Sequence, residues 1–94
     1  MANATVIITT THIEVTFNDL FEDYSKLIPK QGRYNKSNIN FVENKGNYVR
    51  ICVNNNYWDV SHNGGTSSII IDSVDGVTPT SVDNLYTLLK VMLP

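Results

Sequence analysis

The chain has 94 residues, of which 41% are hydrophobic and 17% charged, and its formal net charge is −2 at pH 7. This composition is typical of one globular domain spanning residues 1–94, and it argues against a disordered chain. The small negative charge gives no overall attraction to nucleic acid or to an anionic membrane. Because Cys52 is the single cysteine, an intrachain disulfide is excluded.

The first predicted elements are two strands and a short helix. Residues 5–9 are β-branched throughout, which favours a strand. In residues 12–17 apolar and polar side chains alternate, which predicts a half-buried strand. The buried face of this second strand is expected to carry Ile13, Val15 and Phe17. A short helix is predicted from Asn18 or Asp19 to Leu27, with an irregular loop as the alternative.

The segment from residue 38 to residue 72 is predicted to be an antiparallel β-meander. Four short, largely alternating runs are separated by turns rich in Asn and Gly, including residues 54–56 and the Asn63-Gly64 pair. Connections this short argue against parallel pairing, because a parallel crossover usually needs a dozen or more residues. The residues expected on the buried face are Ile39, Phe41, Val49, Ile51, Trp58, Val60, Ile69 and Ile71.

The end of the sequence predicts a tight turn followed by an amphipathic helix. Asp75-Gly76 favours the turn, and Thr80 or Ser81 can supply the N-cap oxygen, with Asp83 three residues after Thr80. An apolar stripe at helical spacing is formed by Val82, Leu85, Leu88, Leu89 and Met92. An isolated helix of about a dozen residues is unstable in water, so this stripe should pack on the sheet. The predicted fold is therefore α+β, a small antiparallel sheet with a C-terminal amphipathic helix packed on it.

No arrangement of catalytic or metal-binding residues is recognisable in the sequence. His12, His62 and Cys52 match no closed zinc pattern. No serine lies in a nucleophile elbow, and the Gly64-Gly65 pair lacks the Lys and Ser/Thr of a phosphate-binding loop. No apolar run approaches the ~20 residues that span a bilayer. We therefore expect a protein that is not an enzyme, with no cofactor, no metal site and no membrane partner.

The basic residues are concentrated in the middle of the chain. Six of the seven lie between residues 26 and 50, where Glu43 is the only acid. One interpretation is a solvated loop and strand face, and the other is a contact surface for an anion. Tyr34 lies among Lys30, Arg33 and Lys36, and an aromatic ring between cations is what binding of single-stranded nucleic acid requires.

Two strands present candidate contact residues. Tyr57 and Trp58 are adjacent, so only one ring can face the core; Tyr57 is the expected outward ring, able to cover an edge or to stack on a sugar or a base. The strand 5–9 has neither the charge nor the proline that usually protects an edge. It either pairs within the domain or recruits a neighbour by strand addition. The residues expected at an interface are Ile7, Lys30, Arg33, Tyr34, Lys36 and Tyr57.

Three segments, residues 32–39, 57–61 and 71–89, resemble small uncharacterised proteins of tailed bacteriophages that are encoded among virion genes. The last of these is the predicted strand, turn and helix that end the chain. The resemblance covers about half of the sequence. It implies a structural or assembly role in a virion and carries over no catalytic residues.

The leading hypothesis is therefore a non-enzymatic structural or assembly protein, a capsid, neck or tail accessory component. It would associate with copies of itself or with other virion proteins, in the virion or in the host cytoplasm during assembly. The alternative is a small binding module for nucleic acid or another anionic ligand that uses the basic stretch 26–50.

Overall fold

The computed structural model describes residues 2–18, 31–91 and 93. The described residues form seven strands and one α-helix: β1 (Ala2–Ile8), β2 (His12–Phe17), β3 (Gly32–Asn35), β4 (Ile39–Asn44), β5 (Val49–Val53), β6 (Asn56–His62), β7 (Ile69–Val74) and α1 (Val82–Lys90). One turn of 3₁₀ helix, Lys36–Asn38, links β3 to β4. The short helix predicted from Asn18 or Asp19 to Leu27 lies, apart from Asn18, outside the described residues, as does Lys30.

The strands form one mixed sheet in the order β3-β2-β1-β7-β6-β5-β4. Strand β7 is parallel to both of its neighbours, β1 and β6, and the other adjacent pairs are antiparallel. The general prediction of a sheet with a C-terminal helix is confirmed. The prediction of a wholly antiparallel meander over residues 38–72 is wrong, since within that segment β4, β5 and β6 are antiparallel but β7 joins β6 in parallel.

The parallel pairing of β6 and β7 is made by a connection of only residues 63–68. The two strands overlap at three positions, Val60 with Ile69, Ser61 with Ile70 and His62 with Ile71. Strand β6 ends at His62 and β7 begins opposite Val60. The connection therefore returns along the strand direction by only two residues, roughly 7 Å, and not by the length of a whole strand. The expected minimum of a dozen residues applies to parallel strands paired along their length, so it does not hold for this short overlap.

The sheet is strongly curled. Its edge strands β3 and β4 are joined by the three residues Lys36–Asn38, although a flat seven-stranded sheet would hold its edges about 29 Å apart. A link of this length reaches only about 14 Å. The Tyr34 ring in β3 also meets the Trp58 ring in β6, with centroids 4.9 Å apart. The sheet therefore wraps around the core as a partly open barrel.

The helix α1 packs against β4, β5, β6 and β7, as its apolar stripe predicts. Leu85 and Leu89 are fully buried and Leu88 is half-buried. The N-cap is Ser81, whose Oγ accepts a hydrogen bond from the Asn84 backbone N–H at 3.0 Å. Asn84 Oδ1 in turn accepts from the backbone N–H of Thr80 at 3.0 Å, so the reciprocal cap uses Asn84 where the sequence suggested Asp83.

Strand β1 lies in the interior of the sheet, paired with β2 on one side and β7 on the other. Its end is fixed by the Asp75-Gly76 turn, because Asp75 Oδ1 accepts from the Ile8 backbone N–H at 2.8 Å. Asp75 and Gly76 both have positive φ, 51° and 83°, as a tight two-residue hairpin turn requires. The segment 5–9 therefore pairs within the domain, and the alternative that it is an edge strand is wrong.

Candidate functional site

An exposed apolar row crosses the outer face of β4, β5 and β6. Phe41, Cys52 and Tyr57 are direct cross-strand neighbours in the register of these strands. Phe41 is 44% exposed and Tyr57 is 51% exposed, and Cys52 lies half-buried between them. We call the outward side chains of this row, together with Arg50 and Asp59 in the next row, the aromatic face.

The prediction that Phe41 faces the core is wrong. The pairing of β4 with β5 shifts register between Ile39 and Phe41, which marks a bulge at Asn40. One extra residue reverses the alternation beyond it, so Phe41 turns outward and Val42 takes the inner position with 4% exposure. In the sequence, the only sign of this bulge is the succession of two apolar residues, Phe41 and Val42. Such a pair does not indicate which of its members faces inward.

A charged row supports the aromatic side chains. The Arg50 guanidinium makes two hydrogen bonds to the Asp59 carboxylate, at 2.8 and 3.0 Å. Its Cζ also lies 4.1 Å from the centroid of the Tyr57 ring, within cation–π range. The hydrogen bond to Asp59 raises the pKa of Arg50 above its ordinary value, so the guanidinium stays charged. Tyr57 is therefore held with one ring face against Arg50.

The other two charges near the aromatic face also pair with each other. Lys45 Nζ lies 2.6 Å from Glu43 Oε2, and this hydrogen bond raises the pKa of Lys45 above its ordinary value. The two acids, Glu43 and Asp59, thus balance the two bases, Lys45 and Arg50. The charges of these four residues sum to zero, and among the described residues of this surface each charge is paired with an opposite one.

The aromatic face lines an open cleft of about 750 Å³. Asparagines surround it, from the bulge of β4 and from the turn between β5 and β6. Asn40 Oδ1 accepts a hydrogen bond from the Asn54 backbone N–H, which joins the two segments. Asn54 has φ of 53°, a conformation that Asn tolerates better than most residues, and this agrees with the turn predicted at residues 54–56. The cleft therefore presents rings and neutral amides, with the Cys52 thiol among its lining groups.

Of the described residues expected at an interface, only Tyr57 lies on the aromatic face. Ile7 is 45% exposed on β1, in the middle of the sheet. Tyr34 is half-buried against Trp58, so its ring is not presented between the neighbouring cations. Arg33 Nε pairs with Glu14 Oε1 at 3.0 Å, and Lys36 Nζ donates to the Thr9 carbonyl at 3.2 Å.

The described cations of the basic stretch are spread over several elements of the sheet. Arg33 lies in β3 and Lys36 follows it, whereas Lys45 and Arg50 lie by β4 and β5. Each has a carboxylate or carbonyl partner in the structure. These four side chains therefore do not form one continuous patch of free positive charge.

Comparison of the chain with models of protein families, with curated proteins and with solved structures returns no match. Among residues 2–18, 31–91 and 93, no helix has the length and apolar character needed to cross a bilayer. Within the same ranges, no group of three or more His, Cys, Asp or Glu side chains is placed to hold a metal ion.

Proposed function

We propose that this protein is a non-enzymatic assembly protein that associates with further copies of itself through the aromatic face. The observation that carries the proposal is the cross-strand row of Phe41, Cys52 and Tyr57, with both of its rings about half exposed. Aromatic side chains on a rigid sheet lose little conformational entropy on binding and contribute large apolar areas, which makes them common anchors of interfaces.

A second copy of the chain is a suitable partner because of the charges around the rings. Glu43 with Lys45, and Arg50 with Asp59, are compensated within each copy. Two such faces approach without like-charge repulsion, and the aromatic rows supply apolar contact on both sides. A symmetric dimer uses the same patch on both subunits, so a self-complementary neutral surface meets its requirement.

The setting that we propose is a bacteriophage virion, with assembly in the host cytoplasm and with other virion proteins as further partners. Its support is the resemblance of residues 32–39, 57–61 and 71–89 to small phage proteins. The alternative of a nucleic-acid binding module has less support, because the described cations are engaged and Tyr34 packs against Trp58.

The test is the molar mass in solution, measured by size-exclusion chromatography with light scattering over a wide concentration range. The wild-type chain should show a mass that rises with concentration. Phe41→Lys places a charge in the exposed row of the aromatic face and should weaken association by about tenfold or more, equivalent to about 1.4 kcal/mol per tenfold.

Ile7→Lys is the matched control, because Ile7 is as exposed as Phe41 (45% against 44%) and also lies on the outward face of a strand. This variant should associate like the wild type, and far-ultraviolet circular dichroism should show that both variants are folded. A wild-type chain that stays monomeric up to its solubility limit would overturn the proposal. Equal loss of association in both variants would assign the contact to another surface.

A further inference from the structure

The connection between β6 and β7 contains the only Asn-Gly sequence in the chain, Asn63-Gly64. Asn63 is exposed, and Gly64 has φ of 99°, which glycine adopts readily. Neither the Asn63 side chain nor the Gly64 backbone N–H has a hydrogen-bond partner in the part of the chain that the structure describes. Both groups that an asparagine needs for cyclisation onto its own backbone are therefore free.

A third group lies at the peptide bond between these residues. His62 Nδ1 is 2.7 Å from the Asn63 carbonyl oxygen. A carbonyl oxygen only accepts hydrogen bonds, so Nδ1 carries the proton and donates it. This bond draws electron density from the peptide unit whose nitrogen belongs to Gly64. Loss of the Gly64 N–H proton is thereby made easier, because the negative charge that develops on the peptide is shared with the hydrogen-bonded oxygen.

We propose that Asn63 is a site of spontaneous deamidation that His62 promotes. Hydroxide removes the Gly64 N–H proton, and the nitrogen attacks Asn63 Cγ. The Cγ–Nδ2 bond breaks as the N–Cγ bond forms, and Nδ2 leaves as ammonia after taking a proton from water. Water then opens the cyclic imide at either carbonyl and yields aspartate or isoaspartate. The net reaction consumes one water and releases one ammonia, with no change of oxidation state.

The products have a structural consequence at the β6–β7 junction. Gly65 is packed so closely on Ser61 that a Cβ at residue 65 would overlap the Ser61 hydroxyl. Ser61 is itself fully buried, and its pairing with Ile70 is one of the three that join the two strands. Isoaspartate adds one methylene to the backbone of a connection that is tightly packed at Gly65. Its formation should therefore move Gly65 away from Ser61 and loosen the junction.

The experiment is incubation of the purified, folded chain at neutral pH, followed by peptide mapping with mass spectrometry that separates aspartate from isoaspartate. Asn63 should deamidate faster than any other asparagine in the chain, and both products should form. The native chain should react at least as fast as the same chain in urea, because unfolding removes the contact with His62. Slower reaction in the native state, or an intact Asn63 while other asparagines deamidate, would overturn the proposal.

Two variants test the individual groups. His62→Leu removes the donor and should slow deamidation of the folded protein several-fold, while the rate in urea should not fall comparably. An unchanged native rate in this variant would contradict the role of His62. Asn63→Gln should leave no modification at this position, and the aged wild type should then lose resistance to urea that the aged Asn63→Gln protein retains. Equal resistance of the two aged proteins would contradict the loosening of the junction.

Discussion

Replacement of Leu89 by alanine should destabilise the fold far more than the same replacement one residue earlier. Leu89 is fully buried where α1 packs on the sheet, and Leu88 is half-buried. Removal of a buried leucine side chain costs about 2–5 kcal/mol, depending on how well the site collapses. Leu88→Ala should cost less, since part of the Leu88 side chain is already in water. Both variants change the helix propensity by the same amount, so their difference reports the packing.

The measurement is urea unfolding followed by the fluorescence of Trp58, the single tryptophan, which is buried in the core. A chain of this size has roughly 5–14 kcal/mol of total stability, so Leu89→Ala should remove a large fraction of it. With a slope of about 1–2 kcal/mol per molar urea, a loss of 3 kcal/mol lowers the midpoint by roughly 1.5–3 M. A Leu88→Ala variant as unstable as Leu89→Ala would refute the assigned orientation of α1.

Two further predictions concern serine hydroxyl groups, one that accepts a hydrogen bond and one that has no hydrogen-bond partner among the described residues. Ser81→Ala removes the N-cap of α1 and should cost about 1 kcal/mol, a fall of about 4–8 °C in melting temperature for a domain of this size; an unchanged melting temperature would show that another group caps the helix. Ser61→Ala removes a buried hydroxyl that has no hydrogen-bond partner among the described residues, so it should leave stability unchanged or raise it by about 1 kcal/mol. A loss above 1 kcal/mol would reveal a partner for that hydroxyl.

The helix and its cap were predictable because their signals are local. The spacing of Leu85 and Leu89 places both on one face, and Ser81 was one of two candidates for the cap. The choice of Asn84 over Asp83 as the reciprocal partner was not predictable from the pattern. It follows from which residue is the N-cap, since Asn84 is the third residue after Ser81 and Asp83 is the third after Thr80. Asp83 instead accepts a hydrogen bond from Asn44 at 2.7 Å, between α1 and β4.

The sheet was less predictable because its strand order and the facing of its side chains depend on a connection and a bulge, and neither appears as a periodic pattern in the sequence. The parallel pairing of β7 with β6 depends on how the connection 63–68 folds over Ser61, and Asn63-Gly64 by itself equally favours a hairpin. The outward turn of Phe41 depends on one bulged residue. The candidate site was hidden for the same reason, since Phe41, one of its three apolar members, was predicted to face the core.

The basic stretch shows why closeness in sequence is a poor guide to a shared surface. Arg33 finds its carboxylate partner in Glu14, on the neighbouring strand β2, and Arg50 finds its partner in Asp59 on β6. Antiparallel pairing brings opposite charges together across strands, and this compensation is invisible when charges are counted along the chain. Arg33, Lys45 and Arg50 of this cluster therefore form three separate ion pairs in the fold.

The two proposals meet on strand β6, which carries Tyr57 near one end and His62 at the other. They nevertheless require different things of the molecule. Association needs the outward ring of Phe41 and is indifferent to the side chain at residue 63, whereas deamidation needs a free Gly64 N–H and is indifferent to Phe41. Phe41→Lys should thus deamidate like the wild type, and fresh Asn63→Gln should associate like it. Because β6 joins β7 at only three positions, isoaspartate at residue 63 should weaken association only as far as it disorders β6.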